Sequence, residues 1–251
     1  PFISKNGTGL GLNICKVVYE MHGFEYGYEN YLLHLGENLG NEKTELVRSF
    51  ELKEVPENVA RLNCVILEQT APHIIPFGLP ESRFALLDGR VNMITKMPIR
   101  LATLAALELQ DKCCFWDVGF CTGSVSIEAR LRFPHLQIEA FEIRPEGEEL
   151  MFENCRRFGA PGINTHIGDF LSADLENLPR PDAVFIGGHG GHLKEIIDRI
   201  KQFILPNSVI VFNSVSEESK AMFKAAVGEI EELHIAVDNH NPITIMKKRC
   251  T

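Results

Sequence analysis

The run FWDVGFCTGSVSIEA at residues 115–129 passes from an apolar strand into an acidic residue, Asp117. A glycine-rich turn follows (Gly119, Gly123, with Cys121 between them), then a helix that opens Ser124-Val125-Ser126. Strand, tight turn and helix in that order make the first βα unit of a Rossmann-like sheet. The glycines let a ligand approach the backbone, and the helix N-terminus offers free N–H groups. The spacing is D-x-G-x-x-T-G, not the dinucleotide pattern G-x-G-x-x-G. A strand–glycine–helix turn with no ligand would read the same way; a second acidic residue downstream argues against it.

That second residue is Glu142. Leu136–Phe141 is an apolar strand that ends in it, about 20 residues after the glycine turn, where an acidic side chain meets ribose hydroxyls in Rossmann-type sites. A carboxylate accepts from both hydroxyls, which accounts for the residue type. Ile143 then stands where it covers one face of an adenine. Asn164–Ile167 is a third strand, followed by Gly168-Asp169. Ala183–Ile186 is a fourth and opens into Gly187-Gly188-His189-Gly190-Gly191-His192 before a helix at Leu193–Phe203. Glycines at a strand end permit close backbone approach by a ligand. His189 titrates near neutral pH and is a candidate for moving a proton; it serves equally to shape the loop. His189 and His192 alone are too few ligands for a metal, so none is expected.

Val209–Phe212 is a fifth strand, Glu217–Val227 a helix, and Leu233–Val237 with Ile243–Lys247 a closing antiparallel pair joined through Asn239–Pro242. The order predicts an α/β fold with a seven-stranded, doubly wound sheet. Its ligands should sit at the C-terminal edge of strands one to four. Upstream, Thr95-Lys96-Met97-Pro98-Ile99-Arg100 precedes a helix at Leu101–Leu109, with Pro98 suited to a first helical turn. Thr95, Lys96 and Arg100 should lie near the mouth of the first strand, with the two cations as candidate anchors for carboxylates or as solvated charges at a helix start.

The first 70 residues are less explicit. A glycine-rich loop leads into a helix at roughly Leu12–Met21 with Gly23 as its cap. The box GTGLGLNI resembles the ATP lid of sensor histidine kinases, but nothing upstream supplies the rest of that site. Tyr31–Leu35 is a short strand, Glu42–Phe50 has helical character, and Leu62–Leu67 reads as a buried strand. Residues 71–92, punctuated by Pro72, Pro76 and Pro80, read as a linker to a domain at 93–251.

At 251 residues the chain fits one large or two small domains, and its opening on Pro1 reads as a fragment of a longer protein. The net charge of −9, with no basic patch, disfavours nucleic acid. No apolar run reaches the length of a membrane span. The seven cysteines are odd in number and form no C-x-x-C pair. Reduced thiols in the cytoplasm are the expectation, and a disulfide framework is not.

The D-x-G-x-x-T-G turn resembles motif I of the class I S-adenosyl-L-methionine methyltransferases, and Gly168-Asp169 resembles the motif whose Asp meets the adenine amino group. With TKxxxR at 95–100, WDVGxxTGSVSIEA at 116–129, Glu142 and GGHGG at 187–191, residues 93–251 resemble the decarboxylating C15-methyltransferase domain of the precorrin-6Y C5,15-methyltransferases. GENLG, then an E-L helix, then A-x-L-N-x-V-x-L, resembles the end of the tetrapyrrole methylase domain that precedes it, so residues 1–70 would be a partial α/β lobe. The resemblance implies S-adenosyl-L-methionine as cofactor, methylation of C15 of a precorrin in cobalamin biosynthesis, and loss of carbon dioxide from its C12 acetate. It also implies a homo-oligomer, commonly a tetramer.

The candidate cofactor contacts are then Thr95, Asp117, Gly119, Cys121, Gly123, Ser124, Glu142, Ile143, Asp169, Gly187 and Gly188. The candidate catalytic residues are His189, Lys96 and Arg100. Two departures matter. Cys121 stands where the family has glycine, which narrows the backbone approach, and Pro98 stands where it has Glu. A class I methyltransferase acting on another substrate such as tRNA, or a SAM-binding module without turnover, remain the alternatives.

Overall fold

The computed structural model describes residues 31–51, 54, 58–70, 76–90, 92–236 and 242–250. The helix expected at Leu12–Met21, the GTGLGLNI box and most of the Asn239–Pro242 connection lie outside them. The chain divides into two compact units, residues 1–75 with 156–161, and residues 76–155 with 162–251.

In the first unit β1 (Tyr31–Glu37) lies between β2 (Leu46–Glu51) and β3 (Asn63–Gln69), antiparallel to both. Leu33 and Leu35 point to one face of β1 and are buried there. The expected helical character of Glu42–Phe50 is not found. Residues 46–51 alternate Leu, Arg and Phe with Val, Ser and Glu, a period of two, and pair along β1 from Leu32–Glu51 to Glu37–Leu46. Arg48 Nε also donates to Glu37 Oε2 on β1 at 3.1 Å, a side-chain contact across the strand pair.

In the second unit α1 (Met97–Leu107) precedes β4 (Cys114–Val118), α2 (Ser124–Arg132), β5 (Gln137–Glu142), α3 (Glu146–Phe158) and β6 (Ile163–Ile167). Then come β7 (Ala183–Ile186), α4 (Leu193–Ile200), β8 (Val209–Ser214), α5 (Glu217–Val227), β9 (Glu231–Ile235) and β10 (Ile243–Arg249). The sheet order is β6-β5-β4-β7-β8-β10-β9. The first five are parallel; β10 runs antiparallel to both β8 and β9. This is the seven-stranded, doubly wound sheet that the element order predicts. The central strands β4 and β7 are buried at every residue, as strands covered on both faces must be. Leu193, Ile196, Ile197 and Ile200 recur at helical spacing and form the buried stripe of α4.

The boundary between the units falls at Pro76, inside the stretch read as a linker. Leu79 and Phe84 are buried in the second unit, and the Ala85 N–H donates to Asn154 Oδ1 at 2.7 Å. Helix α1 begins at Met97, four residues before the expected start, with Pro98 in its first turn where the missing N–H costs no hydrogen bond. It ends at Glu108, in the left-handed region (φ +54°).

Glu108 ties that end to β10, accepting from Lys247 Nζ at 2.6 Å and Arg249 Nη1 at 2.7 Å. The hydrogen bonds from Arg249 and then Lys247 hold its carboxyl down, from 4.5 to about 2. A depressed carboxylate contributes stability above its unfolded pKa and loses it as pH falls through the folded one. One component of stability should therefore vanish between pH 4.5 and about 2. Glu108→Gln should flatten that part of the acid limb, as urea midpoints taken across the range will register.

Candidate active site

The strand order reverses between β4 and β7, and open sheets of this kind place ligands outside the carboxyl ends of the strands at such a point. The loops after β4 and β7 meet there. Gly119 N donates to Phe141 O at 2.8 Å and Gly187 N to Val118 O at 2.8 Å, which draws both loops onto the ends of neighbouring strands. Gly119 has φ +79°, and a Cβ on it would lie 2.7–2.9 Å from the backbone of Gly188. Only glycine permits this approach. Around it opens a cavity of about 810 Å³, lined by the loops after β4, β5, β6, β7 and β8 and by the start of α1. That volume is in the range of small-molecule sites, roughly 300–1,000 Å³.

At the β5–β6 end stand Glu142, Ile143 and Asp169. Glu142 is buried, and its carboxylate is held from two sides. Oε2 accepts from Cys121 N at 2.9 Å; Oε1 accepts from Arg144 N at 3.0 Å and Arg144 Nη1 at 2.8 Å. A carboxylate has about four acceptor positions, so it retains capacity for a ligand hydroxyl. Ile143 is 62% exposed beside it, an apolar surface at the rim. Cys121 takes φ +52°, and its Sγ turns toward Met93 O at 3.0 Å. The Cβ of Cys121 is therefore accommodated by a strained backbone rather than by an ordinary one.

At the β7–β8 end stand Lys96, His189, His192 and Asn213. The His189 ring packs edge-on against Phe212 with centroids 5.8 Å apart, and Nδ1 accepts from Gly191 N at 3.1 Å. An accepting Nδ1 places the proton of the neutral ring on Nε2. Burial, and secondarily His192, lower the pKa of His189, so the neutral form prevails at pH 7. His189 thus presents an Nε2–H donor.

Of the sequence-named residues, Thr95, Lys96, Gly119, Cys121, Gly187 and Gly188 line the cavity, together with Glu142, Ile143, Asp169 and His189. Asp117, Gly123, Ser124 and Arg100 do not. Asp117 lies beneath the turn, fully buried, with Oδ2 accepting from Ser126 Oγ at 2.5 Å and Oδ1 lacking any partner among the described residues. Burial, with a smaller push from the Glu142 charge, raises it to about 7 against the opposing Ser126 bonds. Gly123 serves packing: at φ +72°, a Cβ there would overlap Met151 Sδ.

Arg100 is a correction. The expected carboxylate anchor is wholly buried. Its Nε donates to Glu128 Oε2 at 2.6 Å, Nη1 to Thr95 O at 2.7 Å and Nη2 to Leu79 O, and its guanidinium lies over the Phe84 ring. The residue clamps the 76–95 segment to α1 and α2. Its sequence neighbour Lys96 keeps the cavity position because it precedes the helix, whereas Arg100 is one turn inside. Thr122, the threonine of the D-x-G-x-x-T-G turn, also lines the cavity, as do Arg144 and Asn213, which the sequence reading does not name as site residues. Arg144 follows Glu142 by two residues, which was the available signal; nothing local marks Asn213.

A family model described as the precorrin methyltransferase domain matches residues 88–248. The chain belongs to the precorrin methyltransferase family. Among its relatives, a cobalt-precorrin-6B C(15)-methyltransferase (decarboxylating) of Salmonella typhimurium is 39% identical over 133 residues, 53% of this chain and 68% of that one. A precorrin-6Y C(5,15)-methyltransferase [decarboxylating] of a Sinorhizobium species is 34% identical over 180 residues, 71% of this chain and 42% of that longer protein. The crystal structure of a precorrin-6Y C5,15-methyltransferase from Geobacter metallireducens covers 68% of this chain and 96% of its own, at 32% identity and a TM-score of 0.60. This precorrin methyltransferase domain has the class I methyltransferase fold and is an enzyme of that class.

S-adenosyl-L-methionine, implied by the fold, fits the residues of this precorrin methyltransferase site. The glycine approach leaves room that a Cβ would fill, Glu142 suits ribose hydroxyls, and Thr122 lines the cavity with a buried Oγ1 that has no partner among the described residues. Glu142→Ala is expected to weaken S-adenosylhomocysteine by at least about tenfold, the scale of a charged hydrogen bond. Calorimetric titration measures it.

Proposed function

We propose that this cavity binds S-adenosyl-L-methionine at its β5–β6 end and a precorrin macrocycle at its β7–β8 end, methylates C15 and releases carbon dioxide from the C12 acetate arm. The observation that carries the reading is the single cavity on both sides of the Gly119–Gly188 approach, with a nucleoside-suited carboxylate at one end and cation and donor side chains at the other. The names of the relatives supply the substrate class.

When bound, the cofactor supplies a methyl group activated by a positively charged sulfur. The chain positions the partners and excludes water. Glu142 holds ribose, Ile143 covers adenine, Asp169 accepts from the adenine amino group, and Gly119, Gly187 and Gly188 admit the methionine part to the sheet edge. Lys96 meets a carboxylate of the macrocycle as a point charge. His189, neutral with its proton on Nε2, orients the acceptor by donating a hydrogen bond; in this tautomer its Nδ1 is engaged and is not the base. The nucleophile is a carbon of an electron-rich ring, and a strong protein base is not required. Residues 1–70 are read as the end of a tetrapyrrole methylase domain, and the protein as a cytoplasmic homo-oligomer.

Titration with S-adenosyl-L-methionine and S-adenosylhomocysteine should show one site per chain. Incubation with a precorrin-6B-type acceptor should then yield methyl transfer and carbon dioxide in equal amounts. Absence of binding by either ligand would overturn the cofactor site, and binding without turnover would overturn the acceptor.

A further inference from the structure

Asn213 is the last residue but one of β8 and lines the cavity, and its amide is fixed from behind. Thr103, fully buried on α1, stands against it. The Thr103 hydroxyl has one hydrogen, and its shorter acceptor contact is Ile99 O at 2.8 Å, one helical turn back; Asn213 Oδ1 is at 3.2 Å. With that hydrogen committed, Thr103 Oγ1 accepts from Asn213 Nδ2 at 2.9 Å. This sets which way the amide faces. One Nδ2 hydrogen and Oδ1 are left for a ligand. Among the described residues, Lys96 just before α1 and His189 and His192 after β7 are the charged or titratable groups lining the same end. Among the described residues no carboxylate lines that end; Glu142 and Asp169 stand at the other.

We infer that Asn213 is a positioning residue for the acceptor, donating its free amide hydrogen to a carboxylate of the substrate, with Thr103 holding the amide in register. The inference rests on the reading that a carboxylate-bearing macrocycle occupies this end. It assigns a neutral donor beside the Lys96 charge. The free amide hydrogen matches a carboxylate oxygen of the acceptor, and an acceptor analogue lacking that carboxylate would leave it unpaired.

The test is steady-state kinetics on the full chain with S-adenosyl-L-methionine and the precorrin-6B-type acceptor, comparing wild type with Asn213→Asp, Asn213→Leu and Thr103→Val. Asn213→Asp keeps the shape and sets a negative charge against the substrate carboxylate. Its acceptor KM should rise about 100-fold, with S-adenosylhomocysteine affinity unchanged. As pH is lowered, the introduced carboxyl takes up a proton and becomes a donor again, so the ratio of its KM to the wild-type KM should fall. Asn213→Leu should show a rise of about tenfold or more with no such recovery, and Thr103→Val a smaller rise.

An unchanged acceptor KM in Asn213→Asp would overturn the inference. So would parallel loss of acceptor and S-adenosylhomocysteine binding, which would mark the pair as a strut between α1 and β8. Failure of the wild type itself to turn over the acceptor would instead overturn the functional reading.

Discussion

Replacing Arg100 with Met is expected to lower the unfolding free energy by about 3–5 kcal/mol, the usual consequence of breaking a buried ion pair from one side. Arg100 and Glu128 are 0% and 1% exposed, so water cannot replace the lost partner. Glu128 also accepts from Leu79 N, and its Oε1 already lacks a partner among the described residues. Leaving that carboxylate buried and uncompensated is the larger part of the cost. Two further bonds go with the guanidinium, to Thr95 O and Leu79 O, and these fasten the segment that carries Thr95 and Lys96 to the cavity.

Glu128→Gln should destabilise as well, since a neutral amide cannot match the guanidinium. The double replacement Arg100→Met with Glu128→Leu should recover part of the loss, because two well-packed apolar side chains leave no orphaned charge. Urea unfolding of the four proteins makes the cycle. A rise in acceptor KM with stability unchanged would place Arg100 in the site after all.

Gly119→Ala is expected to remove cofactor binding by about two orders of magnitude or more while the sheet remains folded. Two costs combine. At φ +79° a non-glycine residue is strained by about 1–2 kcal/mol. The new Cβ would also lie 2.7 Å from Gly188 N and 2.8 Å from Gly188 O, backbone atoms that cannot swing aside as a side-chain end can. The β4 and β7 loops would have to part, and the cavity is built between them. Gly188→Ala is the control on the opposite wall. Its Cβ would meet nothing nearer than 3.9 Å, so its melting temperature should match the wild type. Gly119→Ala should melt below Gly188→Ala, and equal melting temperatures would show that the close approach does not constrain the two loops. S-adenosylhomocysteine titration reads the loss of binding.

Most of the second unit was legible because its signals are local. Strand, acidic residue, glycine turn and helix follow one another within residues 115–129, and Glu142 sits a fixed chain distance further on. The buried strands read as continuous apolar runs, so five parallel strands and the closing pair could be placed to within a few residues. The miss at 46–51 has the opposite cause. The six-residue strand carries adjacent, exposed Leu46 and Val47 that blur its alternation, and its state is decided by pairing with β1.

The amino-acid sequence by itself determined the α/β order, the glycine turns and the acidic residue at the end of β5, since backbone permissiveness and side-chain charge are properties of single residues. Only the tertiary structure decided which polar groups face the cavity. Lys96 and Arg100 are four residues apart and of like charge, yet one lines the site and the other is sealed against Glu128. Asp117 lies beneath the turn rather than in the cavity, and Asn213 is oriented by Thr103 across 110 residues of chain. Burial and hydrogen-bond partners are set by what packs from elsewhere, and no local pattern contains that.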